Sequence, residues 1–427
     1  MRTAAASNNY LAGNSLGMFK LAEDVAFSVS RGNGPWLWST DGRRYADYVL
    51  GAGPMVLGHA HPKVVAAIAE QAGLGTHYYV MNERACELAA KVCELVPCAE
   101  SVRFCSDGSE ANFFALRVAR AFTGRAKILK FNCGFHGHSD YAQQKSRAEP
   151  GHNDQCSVAE SAGIPAEISE TVVIAPYNDI ERTRQIVEPI AGEIAAIIVE
   201  PVQRAFMPAS GFLEGLRALA DNIGALLVFD EVVTGFRLAL GGAQEYFGVT
   251  PDLCALGKAL GGGTPLAALA GRADVLEVVA TDRLNDGRSA FVSGTLNGNP
   301  LCCAAGLATL ALIEELRAPA VLKKKGEALA TGLLEIANRL SVPVQVIGPP
   351  AIQQVVFGSG PMDTIEAVAA SRQDVARRWG HEMIRRGIFC GPAKLYVSVV
   401  HTEETHGLFL QMAEESIRAV RDQGLLY

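Results

Sequence analysis

The chain has 427 residues, room for two or three domains, with 49% hydrophobic and 19% charged residues. Lys and Arg total 38 against 45 Asp and Glu, a formal net charge of -7 with no long basic run, which excludes the electrostatic footprint of a nucleic-acid binder. No apolar run approaches the ~18 residues of a membrane span, and residues 1–9 lack a secretory apolar core, so a cytoplasmic chain with no membrane partner is expected.

In chain order, short apolar runs at 102–104, 127–131, 172–175, 195–199 and 225–229 read as buried strands. Amphipathic stretches separate them, as at 111–121, where apolar residues recur at 111, 114, 115 and 118. That alternation predicts a mostly parallel sheet covered on both faces. From about 304 the pattern shifts to long helices around short β segments at 344–347, 354–357 and 395–400. The expected organisation is α/β: an N-terminal segment 1–50 packing on the small domain, a large α/β domain 51–310 and a smaller α+β domain 311–427. Ligands of such sheets bind beyond the carboxyl ends of the strands. The polar residues there are Ser106-Asp107-Gly108-Ser109, Glu200 and Asp230-Glu231, all expected to converge on one crevice.

Familiar motifs fail in this chain. Gly51-Ala52-Gly53 opens like a dinucleotide fingerprint, but Val56 stands at its third glycine; Gly257-Lys258 is followed by Ala259 and no P-loop precedes it. His59 and His61, like His136 and His138, have no matching ligands, and Cys86, Cys93, Cys98 and Cys105 fall seven, five and seven apart, which fits no zinc spacing. No metal is expected, and the ten cysteines read as reduced apolar filler. What remains is Lys258, between apolar segments and close to Gly261-Gly262-Gly263. Burial there would depress its pKa and make it a nucleophile toward carbonyls.

A pyridoxal phosphate site needs a Schiff-base lysine, a carboxylate for the ring nitrogen, a phosphate cup and flat partners for the ring. Lys258, Asp230, Gly108-Ser109 at a helix start, and Phe135 with Val232 supply that set. Taken singly, Phe135 or Val232 reads as core just as readily.

Gly53–His59, Phe135–His138, Val199-Glu200-Pro201, Phe229–Arg237, Leu256-Gly257-Lys258 and Ser293–Pro300 together resemble the class III aminotransferases of pyridoxal phosphate fold type I, nearest in pattern to glutamate-1-semialdehyde 2,1-aminomutases. The resemblance runs from about Gly34 to Arg418. It implies a large, mostly parallel seven-stranded-type sheet domain, a small α+β domain, and homodimers with active sites at the subunit interface. It assigns Lys258 to the covalent cofactor link, Asp230 to the pyridinium, and Val232 and Phe135 to the ring faces. Gly108 and Ser109 would hold the phosphate, and Gly294 with Thr295 would reach the neighbouring subunit's phosphate. Glu200 and His136 would line the pocket.

The sequence also departs from the aminomutases. Asp107 stands where a residue touching the phosphate is usually uncharged; its spacing to Glu110 is that of a helix N-cap, which would turn it onto the helix amides. Met18 or a neighbour stands where the aminomutases carry an arginine, Ala52 replaces a tryptophan, and 391–398 is about three residues short. Arg204 is a candidate for a substrate carboxylate or for pairing with Glu200; Lys394 and Arg31 are weaker candidates, and Arg237 reads as a structural ion-pair residue. The expected function is a ping-pong aminotransferase acting on a small amino donor and a keto acceptor. The alternatives are an intramolecular aminomutase or racemase on the same cofactor, and a silent cofactor-binding protein.

Overall fold

The structure, a computed structural model, describes residues 10–16, 20–146, 157–283, 287, 289–391 and 394–425. The chain forms two compact units, Lys63–Ala320 and a second built from Met1–Pro62 with Val321–Tyr427. The boundary expected at 310 falls inside the helix Pro300–Glu315, which the first unit keeps whole.

In the Lys63–Ala320 unit, β1 (Ser101–Cys105), β2 (Lys127–Phe131), β3 (Val172–Ala175), β4 (Ile194–Val199), β5 (Leu226–Asp230), β6 (Leu253–Leu256) and β7 (Ala267–Gly271) form one seven-stranded sheet. Its order is β1-β7-β6-β5-β4-β2-β3. β7 runs antiparallel to both neighbours and every other pair is parallel. All six positions of β4 are buried, as an interior strand covered on both faces requires. The sequence reading placed no strand at β7, because its Ala-Ala-Leu-Ala-Gly run has weak strand propensity. That run is held instead by ladder bonds on both sides.

Register decides where the chemistry sits. Val199 pairs with Phe229, Asp230 with Ala255, Leu256 with Ala268, and Ala267 with Cys105. The residues that leave β1, β4, β5 and β6 therefore emerge along one edge of the sheet.

Helix α1 (Gly108–Thr123) follows β1 and packs Ala111, Phe114, Ala115 and Val118 into a core shared with Val228, Leu253 and Leu269. Cutting Phe114 back to alanine there would cost about 3–5 kcal/mol. Helix α2 (Pro300–Glu315) starts at Asn299, whose side chain accepts from Leu301 N at 3.0 Å and Cys302 N at 3.2 Å.

In the second unit, Val29–Asn33, Trp36–Ser39, Arg44–Asp47 and Ile388–Phe389 form a four-stranded sheet, so the N-terminal segment pairs directly with the C-terminal part. Val344–Ile347, Ile352–Phe357 and Leu395–Tyr396 form a three-stranded one. The strand expected over 395–400 stops at Tyr396 because the chain turns: His401 N bonds Ser398 O at 3.2 Å. His401 is buried, lies 2.9 Å from Asp47 O through Nε2, accepts from Ser398 N through Nδ1 at 3.2 Å, and stacks on Tyr48 at 4.1 Å. Among the described residues no helix is long and apolar enough to cross a membrane.

Candidate active site

Asp230 closes β5 and is buried. Its Oδ2 accepts from Asn112 Nδ2 at 2.8 Å and lies 2.9 Å from His136 Nδ1. A carboxylate can only accept, so His136 carries its proton on Nδ1. The buried Nε2 of His136 and Oδ1 of Asn112 have no hydrogen-bond partner among the described residues. Among the described residues Asp230 Oδ1 accepts only from Val232 N, at 3.1 Å. The result is an oriented buried anion with one oxygen clamped, a costly arrangement unless a cation is brought to it. Asn112 was missed from sequence; its signal was a lone amide inside an otherwise apolar stripe of α1.

Glu231 was expected in the same crevice and is not there. It is fully buried on the other side, where Oε2 accepts from Ala243 N at 2.6 Å and Thr234 Oγ1 at 2.8 Å, and Oε1 from Gln244 N at 3.1 Å. Successive residues of an extended strand face opposite ways, so only one of the two acids can serve the edge. Burial pushes the Glu231 carboxyl up from its ordinary range.

The start of α1 forms a cup. Asp107 Oδ1 accepts from Glu110 N at 2.8 Å, and Glu110 Oε2 accepts from Ser106 N at 2.7 Å. The Asp107 carboxylate is thus turned onto the helix, and the remaining free amides of the first turn are left for an anion. A Cβ at Gly108 would come within 2.6 Å of a Val232 methyl, so only glycine lets Val232 lie against the helix start. Gly137, at φ 96°, brings the loop after Phe135 so close that a Cβ would sit 2.3 Å from Ser109 Oγ. His138 N donates to that oxygen at 2.8 Å. A cleft of about 580 Å³ opens here, lined by Ser106, Asp107, Ser109, Phe113, His138 and Tyr141 among others.

Lys258 opens the short turn after β6 at a positive φ of 46°. Burial pushes its pKa below the ordinary lysine value, while the Asp230 and Glu200 carboxylates pull it back up. Glu200, the first residue beyond β4, accepts from Phe135 N at 2.8 Å and Arg204 N at 3.4 Å. Phe135 is half exposed, a ring face open to a ligand, and the Arg204 guanidinium lies 5.3 Å from its centroid. Arg204 Nε donates to Cys133 O at 3.1 Å, so its side chain does not pair with Glu200.

The other expected residues are more scattered. Thr295 is exposed beyond Gly294 in a turn closed by Asn297 N to Gly294 O at 3.1 Å, and no hydrogen bond joins it to Gly108 or Ser109 among the described residues. Ala52, Lys394 and Arg31 belong to the second unit. Ala52 is exposed at φ 65°, Lys394 is half-buried and bonded, and Arg31 stacks 3.7 Å from the Trp38 centroid. Met18 lies outside the described residues. Arg237 is fully buried, and its charge disfavours the Lys258 ammonium.

One sheet edge therefore joins a lysine held low in pKa, an oriented buried carboxylate, a helix start with free amides, and apolar surfaces at Val232 and Phe135. That donor set fits pyridoxal phosphate.

A family model for class-III aminotransferases matches residues 19–409. A glutamate-1-semialdehyde 2,1-aminomutase of Desulforudis audaxviator (strain MP104C) is 41% identical over 396 residues, 91% of this chain and 89% of that protein. An omega-transaminase from Sphaerobacter thermophilus superposes with a TM-score of 0.91 at 30% identity, covering 98% of each chain. A glutamate-1-semialdehyde-aminomutase from Pseudomonas aeruginosa PAO1 does so at 0.82 and 25% identity, covering 92% of this chain and 87% of that one.

Proposed function

This chain belongs to the aminotransferase class-III family, and we propose that it moves an amino group between neighbouring carbons of one substrate, as an aminomutase. The cofactor is pyridoxal phosphate, which supplies the electron sink that eases proton removal beside the amine. Lys258 is the base of the reaction, since burial favours its neutral, proton-accepting form. Asp230, oriented by Asn112 and His136, is the residue to hold a protonated ring nitrogen. Gly108 and Ser109 would bind the phosphate, and Phe135 and Val232 would flank the ring. The same reading makes the working unit a homodimer, in which the exposed Thr295 serves the neighbouring subunit; light scattering in solution tests this.

The observation that carries the aminomutase reading is the name shared by relatives at about 40% identity over most of the chain. An intermolecular transaminase is the second reading, and the closer superposition on an omega-transaminase favours it. ¹⁵N-labelled glutamate-1-semialdehyde given to the holoenzyme separates the two. Movement of label within the molecule, with no second substrate, supports the mutase. Transfer of label to an added keto acid, with none moved internally, supports the transaminase.

A further inference from the structure

The loop beyond Glu200 carries a cation, Arg204, that forms no salt bridge to an acid among the described residues. Arg204 sits at a φ of 61°, a conformation that favours glycine, and three contacts hold it there. Its N–H donates to Glu200 Oε2 at 3.4 Å, its Nε donates to Cys133 O at 3.1 Å, and its guanidinium lies 5.3 Å from the Phe135 centroid. Nothing among the described residues engages the two terminal nitrogens. Among the described residues Glu200 forms no ion pair with the guanidinium; its oxygens accept from the backbone N–H groups of Phe135 and Arg204. The charge of Arg204 reaches Lys258, whose ammonium it disfavours. A guanidinium pinned through Nε presents its terminal nitrogens as a preset donor pair, which matches a carboxylate.

We propose that Arg204 binds the carboxylate of the substrate, so that the enzyme acts on amino acids with a free carboxylate and discriminates against the corresponding simple amines. The proposal rests on the reading that Lys258 and Asp230 serve pyridoxal phosphate. Packing on Phe135 alone would ask only for a long side chain, and lysine or methionine would suffice. Carboxylate recognition needs the planar fork.

The test uses the holoenzyme and its Arg204→Met and Arg204→Lys variants. Amino acids are paired with their decarboxylated amines (phenylalanine with 2-phenylethylamine, alanine with ethylamine, 3-amino-3-phenylpropionate with 1-phenylethylamine). Loss of the visible cofactor band is followed for each. The wild type should prefer the acid of a pair, and both variants should lower that preference about tenfold to a hundredfold, mainly through KM. An unchanged preference, full rescue by lysine, or a wild type that favours the amine overturns the proposal. A second measurement needs no turnover: 3-phenylpropionate should shift the band at lower concentration than 3-phenylpropanamide, and Arg204→Met should erase that difference. Equal behaviour of wild type and variant there also overturns it. A wild type that shows no visible band with pyridoxal phosphate refutes the cofactor reading instead, a distinct outcome.

Discussion

Gly137→Ala tests whether the approach of the loop after Phe135 to the start of α1 builds the phosphate cup. An L side chain at its φ of 96° costs about 1–2 kcal/mol in backbone strain alone. The new Cβ would also lie 2.3 Å from Ser109 Oγ and 2.5 Å from Ser109 Cα. The hydroxyl could rotate away, but the Cα could not, so loop or helix must shift at a further cost of about 1–3 kcal/mol. Gly163 supplies the control. Its φ is 90°, but a Cβ there would meet nothing within 4 Å, so Gly163→Ala carries the strain without the clash. The excess cost falls at the proposed phosphate cup and should weaken pyridoxal phosphate binding about 5- to 150-fold, while Gly163→Ala binds as wild type. Titration of the apoprotein, read by visible absorbance beside thermal melts of both variants, measures the two effects apart. Equal cofactor affinity in the two variants would refute the reasoning, even if Gly137→Ala melted lower.

Asn112→Ala leaves Asp230 Oδ2 with one donor and should weaken cofactor binding by about 1–3 kcal/mol in the same titration. Asp107→Ala should lose about 1 kcal/mol of stability with the N-cap, whereas Asp107→Ser should keep the cap and gain little cofactor affinity; a strong gain would mean the carboxylate opposes the phosphate. Because burial holds the Lys258 pKa low, charging it costs stability below that pKa and nothing above the ordinary 10.5. The apo Lys258→Met variant should therefore resist urea better than apo wild type near neutral pH, with the advantage fading toward pH 10.5. Burial also pushes His401 down to about 3 from 6.5, so its contribution is complete above pH 6.5 and lost as pH falls toward 3. That loss amounts to about 2 kcal/mol by pH 5, and a His401→Gln variant should show a flatter decline of urea midpoint between pH 7 and 5.

Much of the site could be read before the fold was known, because its parts obey strong local rules. A carboxylate after a wholly apolar run marks a strand end, which located Glu200 and Asp230. Lysine between apolar segments marks a depressed pKa, which located Lys258. Asp107 and Glu110 announced a cap by their spacing. What escaped depends on three-dimensional register. Glu231 and Asp230 are indistinguishable as letters, and strand pleating alone sends one to the edge and the other to brace residues 243–244. Asn112 acts across 118 residues of sequence, a pairing that no local pattern encodes. β7 is made of residues that rarely favour strands, and only its two flanking ladders make it one.

The anchoring of the site implies how a chain of this kind can change what it acts on. Asp230 closes β5 and Lys258 follows β6, strands that are buried along their whole length, so a side chain there can change only within the room the core leaves. The Arg204 side chain is exposed and held by one carbonyl and one ring, in a loop whose Val202, Gln203, Ala205 and Phe206 are buried. If Arg204 holds the substrate carboxylate as proposed, replacing that one side chain would alter what is selected without reopening the core beneath it. For an engineer, positions 204 and 207, the exposed members of 201–207, are where a library of substitutions has room, and the buried ends of β5 and β6 are where it has little.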